Sequence, residues 1–257
     1  ADWCKDLDVP LMTDQPASDV LYFVGCAGSF DDRGKKISRA LVRVLKRAGV
    51  NFAILGQEER CNGDMARRAG NEYLAQMMIQ ENVATLNQYK PKKILTGCPH
   101  CFNIIKNEYP QFGATFEVVH HTEFLLDLLK QGRLKPNGAF LGDMVFHDSC
   151  YLGRWNGIID APRELLDSIN RSGNTILPKR HGDKGFCCGA GGARMFMEES
   201  IGKRINIERS TELLSSGSQT VAAACPFCVT MIGDGISDCQ GDMAVKDIAE
   251  IVDEATG

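Results

Sequence analysis

The stretch Thr220-Val221-Ala222-Ala223-Ala224-Cys225-Pro226-Phe227-Cys228-Val229 starts as a short apolar run and ends in a Cys-x-x-Cys pair. The run predicts a buried strand, and the pair opens the helix that follows it. Two cysteines three residues apart at a helix start can point both sulfurs at one metal centre. The first-turn amides and the helix dipole stabilise their thiolates. The stretch therefore predicts a strand and a helix joined at a metal-binding cysteine pair.

The same unit occurs earlier in the chain, from residue 93 to residue 102, as part of a longer repeat. One series of cysteines recurs after offsets of 124, 126, 127 and 127 residues. The first series is Cys26, Cys61, Cys98 and Cys101, and the second is Cys150, Cys187, Cys225 and Cys228. The flanks agree, because Cys61-Asn62-Gly63 aligns with Cys187-Cys188-Gly189. Offsets this constant indicate an internal duplication.

Apolar runs and amphipathic segments alternate in both halves, which predicts an α/β fold with largely parallel sheets covered by helices. The predicted strands are 20–25, 51–55, 93–96, 116–119, 144–147, 175–178, 220–224 and 243–245. The predicted helices include 35–48, 70–89, 101–109, 121–130 and 195–214. Ligand sites in such sheets lie at the carboxyl ends of strands. Cys26, Cys98, Cys150 and Cys225 each follow a predicted strand there.

The seam between the halves is predicted at Pro136-Asn137-Gly138, because this tripeptide follows a helical segment and favours a loop. We therefore expect three parts. Residues 1–19 form an N-terminal extension or linker. Residues 20–138 form a first cysteine-rich repeat with a set of four cysteines, and residues 139–257 form a second repeat with a set of five, to which Cys239 does not belong.

The amino-acid composition argues against several classes of function. The 257 residues carry a net charge of −4 and no run of basic residues, which argues against nucleic acid as a partner. Eleven cysteines in a chain of this length with no export signal favour free thiols or metal ligands over disulfides. We expect a cytoplasmic protein, since neither a signal peptide nor an apolar stretch of about 18 residues is present.

Three kinds of cysteine chemistry compete. A structural zinc ribbon expects its two pairs about 15 to 20 residues apart, whereas here 127 residues separate them. A thioredoxin-like motif fits Cys98-Pro99-His100-Cys101 locally. A dithiol enzyme, however, has no need of Cys26, Cys61 and their counterparts in the second half. Adjacent cysteines in a glycine-rich loop can supply neighbouring ligands to a polynuclear cluster, as Cys187 and Cys188 do before Gly189.

The second series resembles the CCG cysteine-rich domain found in the B-type subunit of heterodisulfide reductases and in related iron–sulfur oxidoreductases, over about residues 20 to 257. The resemblance implies a non-cubane 4Fe–4S cluster bound by five thiolates. These are Cys150, Cys187, Cys188, Cys225 and Cys228. The first half has Asn62 in place of the second vicinal cysteine. Its four cysteines imply a second iron–sulfur cluster of another type, and an altered or empty site stays open.

Two further segments, 21–30 and 63–72, resemble the C-terminal part of membrane-associated members that accept electrons from electron-transfer flavoprotein and reduce quinone. This implies a relay module with redox partner proteins, joined in a longer parent chain to ferredoxin-like and membrane domains. The start without Met agrees with a fragment, and tethering to the inner face of the membrane would follow. Catalytic cleavage of a disulfide substrate by the cluster stays open as an alternative, as does a metal-free thiol–disulfide oxidoreductase.

Two histidines lie near the cysteines in sequence. His100 stands between Cys98 and Cys101, and His147 stands three residues before Cys150. Both are near enough to form hydrogen bonds to sulfur, which shift reduction potentials. Simple packing or capping is the equally open interpretation.

Overall fold

The computed structural model describes residues 2–257, and the chain divides into two compact units, Ala1–Leu134 and Lys135–Gly257. Each unit contains one four-stranded sheet in which every strand pair is parallel, and helices cover the sheet. The predicted fold class is confirmed.

The sheet of the first unit has the order β2-β1-β3-β4. Its strands are β1 (Val20–Phe23), β2 (Phe52–Ala53), β3 (Ile94–Thr96) and β4 (Val118–His120). Its helices are α1 (Gly25–Phe30), α2 (Asp32–Arg47), α3 (Asp64–Arg68), α4 (Glu72–Tyr89), α5 (Pro99–Asn107) and α6 (His121–Lys130). All four residues of β1 are buried, as expected for a central parallel strand covered on both faces.

Local sequence explains why α2 forms where it does. The Asp31 side chain accepts a hydrogen bond from Gly34 N at 2.7 Å and so caps the first turn. Ile37, Leu41 and Val44 recur at helical spacing and are buried. Burial of such a stripe is the main source of helix stability in a folded domain.

The segment before β1 packs on the first unit. Arg39 of α2 donates to the Trp3 carbonyl at 2.6 Å and pairs with Asp6. Farther along, Met12 N donates to Ile54 O at 2.9 Å, beside the end of β2. Trp3 and Met12 are both buried. Residues 2–19 therefore contribute to the core of this unit.

The sheet of the second unit has the order β6-β5-β7-β8, which repeats the topology of the first. Its strands are β5 (Met144–His147), β6 (Thr175–Ile176), β7 (Thr220–Ala223) and β8 (Ala244–Asp247). Its helices are α7 (Cys150–Asn156), α8 (Asp160–Ile169), α9 (Ile205–Leu214), α10 (Pro226–Asp238) and α11 (Ile248–Thr256). The matching order is what an internal duplication predicts.

Asn137 joins the beginning of the second unit to its end. Its backbone N–H donates to Ala255 O at 2.7 Å, and its side-chain amide donates to Glu254 O at 3.1 Å and to Gly257 O at 2.8 Å. The segment that enters the unit therefore satisfies carbonyls at the end of α11, where intrahelical donors have run out.

The predicted helix 195–214 is wrong over its first half. Only a short turn at Arg194–Phe196 precedes α9, which starts at Ile205. Phe196 and Ile201 gave the segment an apparent apolar periodicity, yet both are exposed, so no buried stripe supports a helix there. Gly202 adopts φ +71°, a left-handed conformation that interrupts an α-helix.

Within residues 2–257, no helix combines the length and the apolar character needed to cross a membrane.

Candidate metal centres

The cysteines of the second series converge in the second unit. Cys150 begins α7 shortly after β5. Cys225 occupies the N-cap position of α10 after the end of β7, and Cys228 lies in the first turn of that helix. Cys187 and Cys188 lie on the loop between β6 and α9. All five therefore reach the carboxyl edge of the sheet, where parallel α/β folds place their ligand sites.

Sulfur contacts link the five thiols in one continuous series. Hydrogen bonds join Cys150 to Cys187, Cys187 to Cys188, Cys188 to Cys228 and Cys228 to Cys225. Three of them, Cys188, Cys225 and Cys228, are almost completely buried. No disulfide forms between any cysteines of residues 2–257. The five cysteines therefore form a compact group of sulfur donors, three of which are shielded from solvent.

Protonation within this group is strongly uneven. Hydrogen bonds from Cys150 and, to a smaller extent, from Cys188 hold the pKa of Cys187 far below its usual range. The shared hydrogen bond raises the pKa of Cys150, and contact with Cys187 together with burial raises the pKa of Cys188. One thiolate is thus stabilised by its neighbours' protons. Metal binding would release those protons, because thiolates are the ligating form.

The loop around Cys187 is shaped by glycine. Gly189 has φ +97°, and its N–H donates to Cys187 Sγ at 3.3 Å. A Cβ at Gly189 would lie 3.3 Å from both the Ile205 and the Met231 side chains, so the backbone there approaches α9 and α10 closely. A side chain at this position would strain the loop that carries two thiols.

The four cysteines of the first series also meet. Cys26 lies in the first turn of α1. Cys98 occupies the N-cap position of α5, and Cys101 lies in the first turn of α5. Hydrogen bonds join Cys26 to Cys61 and Cys98 to Cys101, and Cys98 is near enough to Cys26 to raise its pKa. The bond from Cys26 lowers the pKa of Cys61 to about 6.

Asn62 lies inside this group. Its Nδ2 donates to Cys101 Sγ at 2.8 Å, while its Oδ1 accepts from Asp64 N at 2.8 Å. Tyr109 Oη donates to the Asn62 carbonyl at 3.1 Å. The amide is therefore held with its N–H toward sulfur, and its oxygen is already engaged. Its position in the repeat is that of a second vicinal cysteine, but its chemistry is that of a hydrogen-bond donor.

A carboxyl group that sequence reasoning missed lies beside the first series. Glu59 accepts hydrogen bonds from Val24 N at 2.9 Å and Gly25 N at 2.6 Å, and burial raises its pKa to about 7. It also lines a cavity of about 660 Å³ that reaches Cys26 and Cys61. In the sequence, only the closeness of Glu59 to Cys61 could have indicated a place beside the sulfur group. The hydrogen-bond partners of Glu59 are backbone amides, which every residue type except proline has, so they produce no sequence motif.

A second missed group is Arg209 on α9, whose side chain is fully buried in the second unit. It shares the buried face of α9 with Asn206, Ser210 and Leu213. A charged residue on an otherwise buried helical stripe is the signal that would have singled it out. Its Nε donates to Nδ1 of His147 at 3.0 Å, which joins α9 to the end of β5.

His100, Cys4 and Cys239 lie outside the two cysteine series. His100 Nδ1 lies 2.8 Å from the Asp64 carboxylate, and both side chains are buried. Cys4 lies in the N-terminal turn Asp2–Leu7, and Cys239 Sγ lies 3.8 Å from the Thr211 hydroxyl. Neither cysteine takes part in the two sulfur groups.

Comparison with known families covers both halves of the chain. The family model of the CCG cysteine-rich domain matches residues 20–106 and again 144–233, which together are more than half of the sequence. The chain belongs to the CCG cysteine-rich domain family. The resemblance that the cysteine pattern indicated is therefore confirmed.

Three curated relatives of this CCG protein have names that describe oxidoreductases or their components. EtfAB:quinone oxidoreductase of Syntrophomonas wolfei is 46% identical over 241 residues, which cover 90% of this chain and 34% of that protein. The "Probable iron-sulfur-binding oxidoreductase FadF" of Bacillus subtilis is 40% identical, over 98% of this chain and 36% of its own length. A dihydromethanophenazine:CoB–CoM heterodisulfide reductase component of Methanosarcina barkeri is 32% identical, over 93% and 59%. The CCG chain thus spans about a third of the first two relatives.

The donor sets fit the group that the family implies. Iron–sulfur clusters are held by cysteine thiolates, and the second unit offers five adjoining sulfurs while the first offers four. In the second unit, the buried Nε2 of His147 has no hydrogen-bond partner among residues 2–257. A ring nitrogen of His147 and the Sγ atoms of Cys188 and Cys228 lie within 4.8 Å of one another. An N–H directed at a sulfur cluster would account for that orphaned atom.

Proposed function

We propose that this CCG protein is an iron–sulfur electron-transfer module whose principal centre is in the second unit. Cys150, Cys187, Cys188, Cys225 and Cys228 would hold a non-cubane 4Fe–4S cluster there. The observation that carries this proposal is the continuous series of contacts among five largely buried thiols. Five soft donors exceed the four that a tetrahedral zinc site takes, which argues for a polynuclear group.

The first unit would hold a different centre through Cys26, Cys61, Cys98 and Cys101. Its four sulfurs match a cubane cluster in number. The hydrogen bond from Asn62 to Cys101 supports a donor role for the amide, and an engaged oxygen is a poor iron ligand. The chemistry that such clusters supply is one-electron transfer, and the protein's part is to hold them and to set their potential.

The electron donor and acceptor that we propose are those that the name of a relative indicates. We infer a relay from electron-transfer flavoprotein to a quinone-linked partner, supported by the 46% identity to an EtfAB:quinone oxidoreductase. A location at the inner face of the membrane agrees with a 38% identical relative from Chromohalobacter salexigens named "Probable membrane-anchored ferredoxin". Both statements concern the longer protein in which such a module works.

A second candidate is reductive cleavage of a disulfide substrate. It is favoured by the relative named as a heterodisulfide reductase and by the cavity beside Cys26 and Cys61, which is large enough for a small organic molecule. The two candidates differ in what re-oxidises the protein. A relay passes electrons to a protein partner, whereas a reductase passes them to a small disulfide.

Cluster binding is tested on the full chain purified and reconstituted without oxygen. Iron and sulfide analysis with paramagnetic resonance should detect two centres of different type. Cys188→Ser should disturb the second centre and leave the first intact, because groups that share no partners behave independently. Cys239→Ser is the matched control and should change neither. Equal damage to both centres by Cys188→Ser would mean that they are one site.

The choice between the two functions needs the reduced protein. It is mixed either with a quinone-linked partner or with a panel of organic disulfides, and re-oxidation is followed by absorbance. The relay predicts rapid re-oxidation by the partner alone. Stoichiometric disulfide cleavage would favour the reductase instead. Its loss in Cys61→Ser or in Cys187→Ser would tell whether the first or the second sulfur group acts.

A further inference from the structure

A buried histidine–arginine pair, His147 and Arg209, lies beside the second sulfur group. His147 is the last residue of β5, and Arg209 lies in the middle of α9; neither has any measurable exposure. Arg209 Nε donates to His147 Nδ1 at 3.0 Å. An arginine in a protein keeps all its protons, so Nε can only be the donor in this bond. Nδ1 of His147 is therefore the acceptor and carries no proton.

This bond decides the tautomer of His147. A neutral imidazole has one N–H, so an accepting Nδ1 puts the proton on Nε2. The doubly protonated ring is excluded because it has no lone pair for Arg209. Nε2 thus carries a buried N–H that makes no hydrogen bond to any of residues 2–257. Leaving such a donor unused is unfavourable, so an acceptor is expected.

The remaining contacts of Arg209 hold its head group in place. Nη1 donates to Glu212 at 2.9 Å and to the Arg180 carbonyl at 2.9 Å. The Glu212 carboxylate in turn accepts two hydrogen bonds from Arg180, one from the Arg180 Nε at 2.9 Å and one from the Arg180 backbone N–H at 2.8 Å. Both oxygens of the Glu212 carboxylate are therefore engaged. A guanidinium fixed from two sides cannot turn away from the imidazole.

The acceptors within reach of this ring are sulfurs. A ring nitrogen of His147 and the Sγ atoms of Cys188 and Cys228 all lie within 4.8 Å of one another. With the cluster of the proposed function in place, its sulfides and thiolates would be the nearest electron-rich atoms. Both a hydrogen bond to sulfur and a nearby positive charge favour the reduced, more negative form of a centre.

We propose that His147 donates its Nε2 proton to a sulfur of the second centre, and that Arg209 is the positioning residue that fixes this tautomer. The inference rests on the proposed function, since the acceptor belongs to the cluster-loaded site. It removes His147 from the candidate iron ligands, because a protonated nitrogen cannot coordinate. Its consequence is a second-centre potential above the value that the five thiolates alone would give.

The duplication supplies an internal comparison. The offset of 124 residues that relates Cys150 to Cys26 relates His147 to Phe23, the last residue of β1. Phenylalanine has no N–H, so the first unit lacks this donor. His147→Phe therefore installs at the second site a residue that the same fold already accommodates at the first.

The test measures midpoint potentials of the full, anaerobically loaded chain by paramagnetic resonance. His147→Phe should lower the midpoint potential of the second centre. At a fixed solution potential, the ratio of reduced to oxidised second centre should fall at least tenfold, which corresponds to a shift of about 60 mV for one electron. Arg209→Gln should lower it in the same direction. The first centre should not change. An unchanged second potential in a His147→Phe protein with full iron and sulfide would overturn the inference and leave the proposed function standing.

Arg204→Gln is the matched control for Arg209→Gln. Arg204 directly precedes α9 and pairs with Asp238 at 2.7 Å on the surface, where solvent screens its charge. It should leave both potentials unchanged. A shift as large as that of Arg209→Gln would show that any lost cation suffices, and the inference would fail.

Two measurements on the unmodified chain do not depend on a variant folding. Nitrogen NMR of labelled histidine in the metal-free protein should show a protonated Nε2 and an unprotonated Nδ1 for His147. In the loaded protein, pulsed paramagnetic resonance should detect only a weak coupling from that nitrogen. A protonated Nδ1, or the strong coupling of an iron-bound nitrogen, would overturn the inference. A chain that binds neither iron nor sulfide would refute the proposed function itself.

Discussion

At the scale of single residues, the two halves differ in how each sulfur group is supplied with N–H donors. In the first unit the donor is the Asn62 amide, which bonds to Cys101 Sγ. In the second unit Cys188 takes that place, so this side-chain donor is missing. A backbone N–H reaches sulfur in both units, from Gly63 to Cys61 and from Gly189 to Cys187. A duplicated cysteine pattern has thus acquired two different electrostatic surroundings, which predicts two centres of different potential.

Replacing Asn62 by cysteine should restore a five-thiol set in the first unit. We expect the first centre of Asn62→Cys to acquire the paramagnetic signature of the second, because the missing ligand returns to a position already beside Cys101. Iron content and resonance spectra of the loaded chain provide the measurement. If the unmodified halves already carry identical clusters, Asn62 does not stand for a lost ligand.

Glu59 predicts a pH dependence of stability in the metal-free protein. Its pKa is about 7 in the folded chain and near 4.5 when unfolded, so the folded state binds the proton more tightly. The contribution of Glu59 to the free energy of unfolding is fully present below pH 4.5 and is lost as the pH rises through 7. The loss is about 2 kcal/mol after allowance for the partial exposure of the side chain. Denaturant unfolding at pH 4.5 and 7.5 measures it. Glu59→Gln should remove this loss, so the variant should be more stable at pH 7.5, relative to pH 4.5, than the unmodified chain. The pKa of Cys61, about 6, lies in the same range and contributes with the opposite sign, so the comparison is made in a Cys61→Ser background. An equal slope with and without Glu59 would contradict the assignment.

The sequence was sufficient to identify the thiols and to single out His147, but it did not indicate Glu59 or Arg209. Cysteine spacing is set by the ligand geometry and survives in the sequence as a repeat. The partners of Glu59 are backbone amides, and the bond between Arg209 and His147 joins residues 62 positions apart. Contacts of these kinds leave no local pattern. The nine-cysteine ligand assignment itself stays a prediction until a loaded protein is measured.

At the scale of elements, the sites depend on the junction between each strand and the next helix. Shortly after β3 and β7 a cysteine occupies the N-cap position of the next helix, and the second cysteine of each pair lies in the first turn of that helix. The order of strands and helices was predictable from apolar periodicity. The segment 195–204 was not, because its apolar residues are exposed and the pattern imitates a helical face without burying one.

The glycine loop provides an element-scale prediction. Gly189→Ala should destabilise the second unit by about 1–2 kcal/mol and reduce its cluster content, because a Cβ at φ +97° is strained and lies 3.3 Å from side chains of α9 and α10. Gly191→Ala is the matched control, since nothing lies within 4 Å of its Cβ position and its backbone is not in the left-handed region. Thermal unfolding and iron analysis compare the two. Equal behaviour of both variants would refute a structural role for Gly189.

At the scale of the whole molecule, each unit has its own sheet, its own buried side chains and its own sulfur group. The duplication was readable in the cysteine offsets, and the matching strand orders confirm the α/β class that it implied. The division between the compact units falls after Leu134, whereas the sequence suggested a seam at Pro136-Asn137-Gly138.

Residues 135–257 should fold and bind their cluster as a separate polypeptide. The expectation follows from a complete parallel sheet, five thiols from one unit, and the bonds from Asn137 to α11. Circular dichroism, cooperative thermal unfolding and iron content measure it. The same fragment with Cys188→Ser should fold but lose the non-cubane signature. A fragment that shows no cooperative transition would contradict the prediction.

The bonds made by Asn137 also bear on chain connectivity. They bring residue 137 within hydrogen-bond distance of residues 254, 255 and 257, so the beginning and the end of the second unit are neighbours in space. A linker of a few residues would close the unit into a ring. Circular permutants of it, reopened at the turn around the exposed Gly217, should therefore keep the order of their strands in space while changing it along the polypeptide.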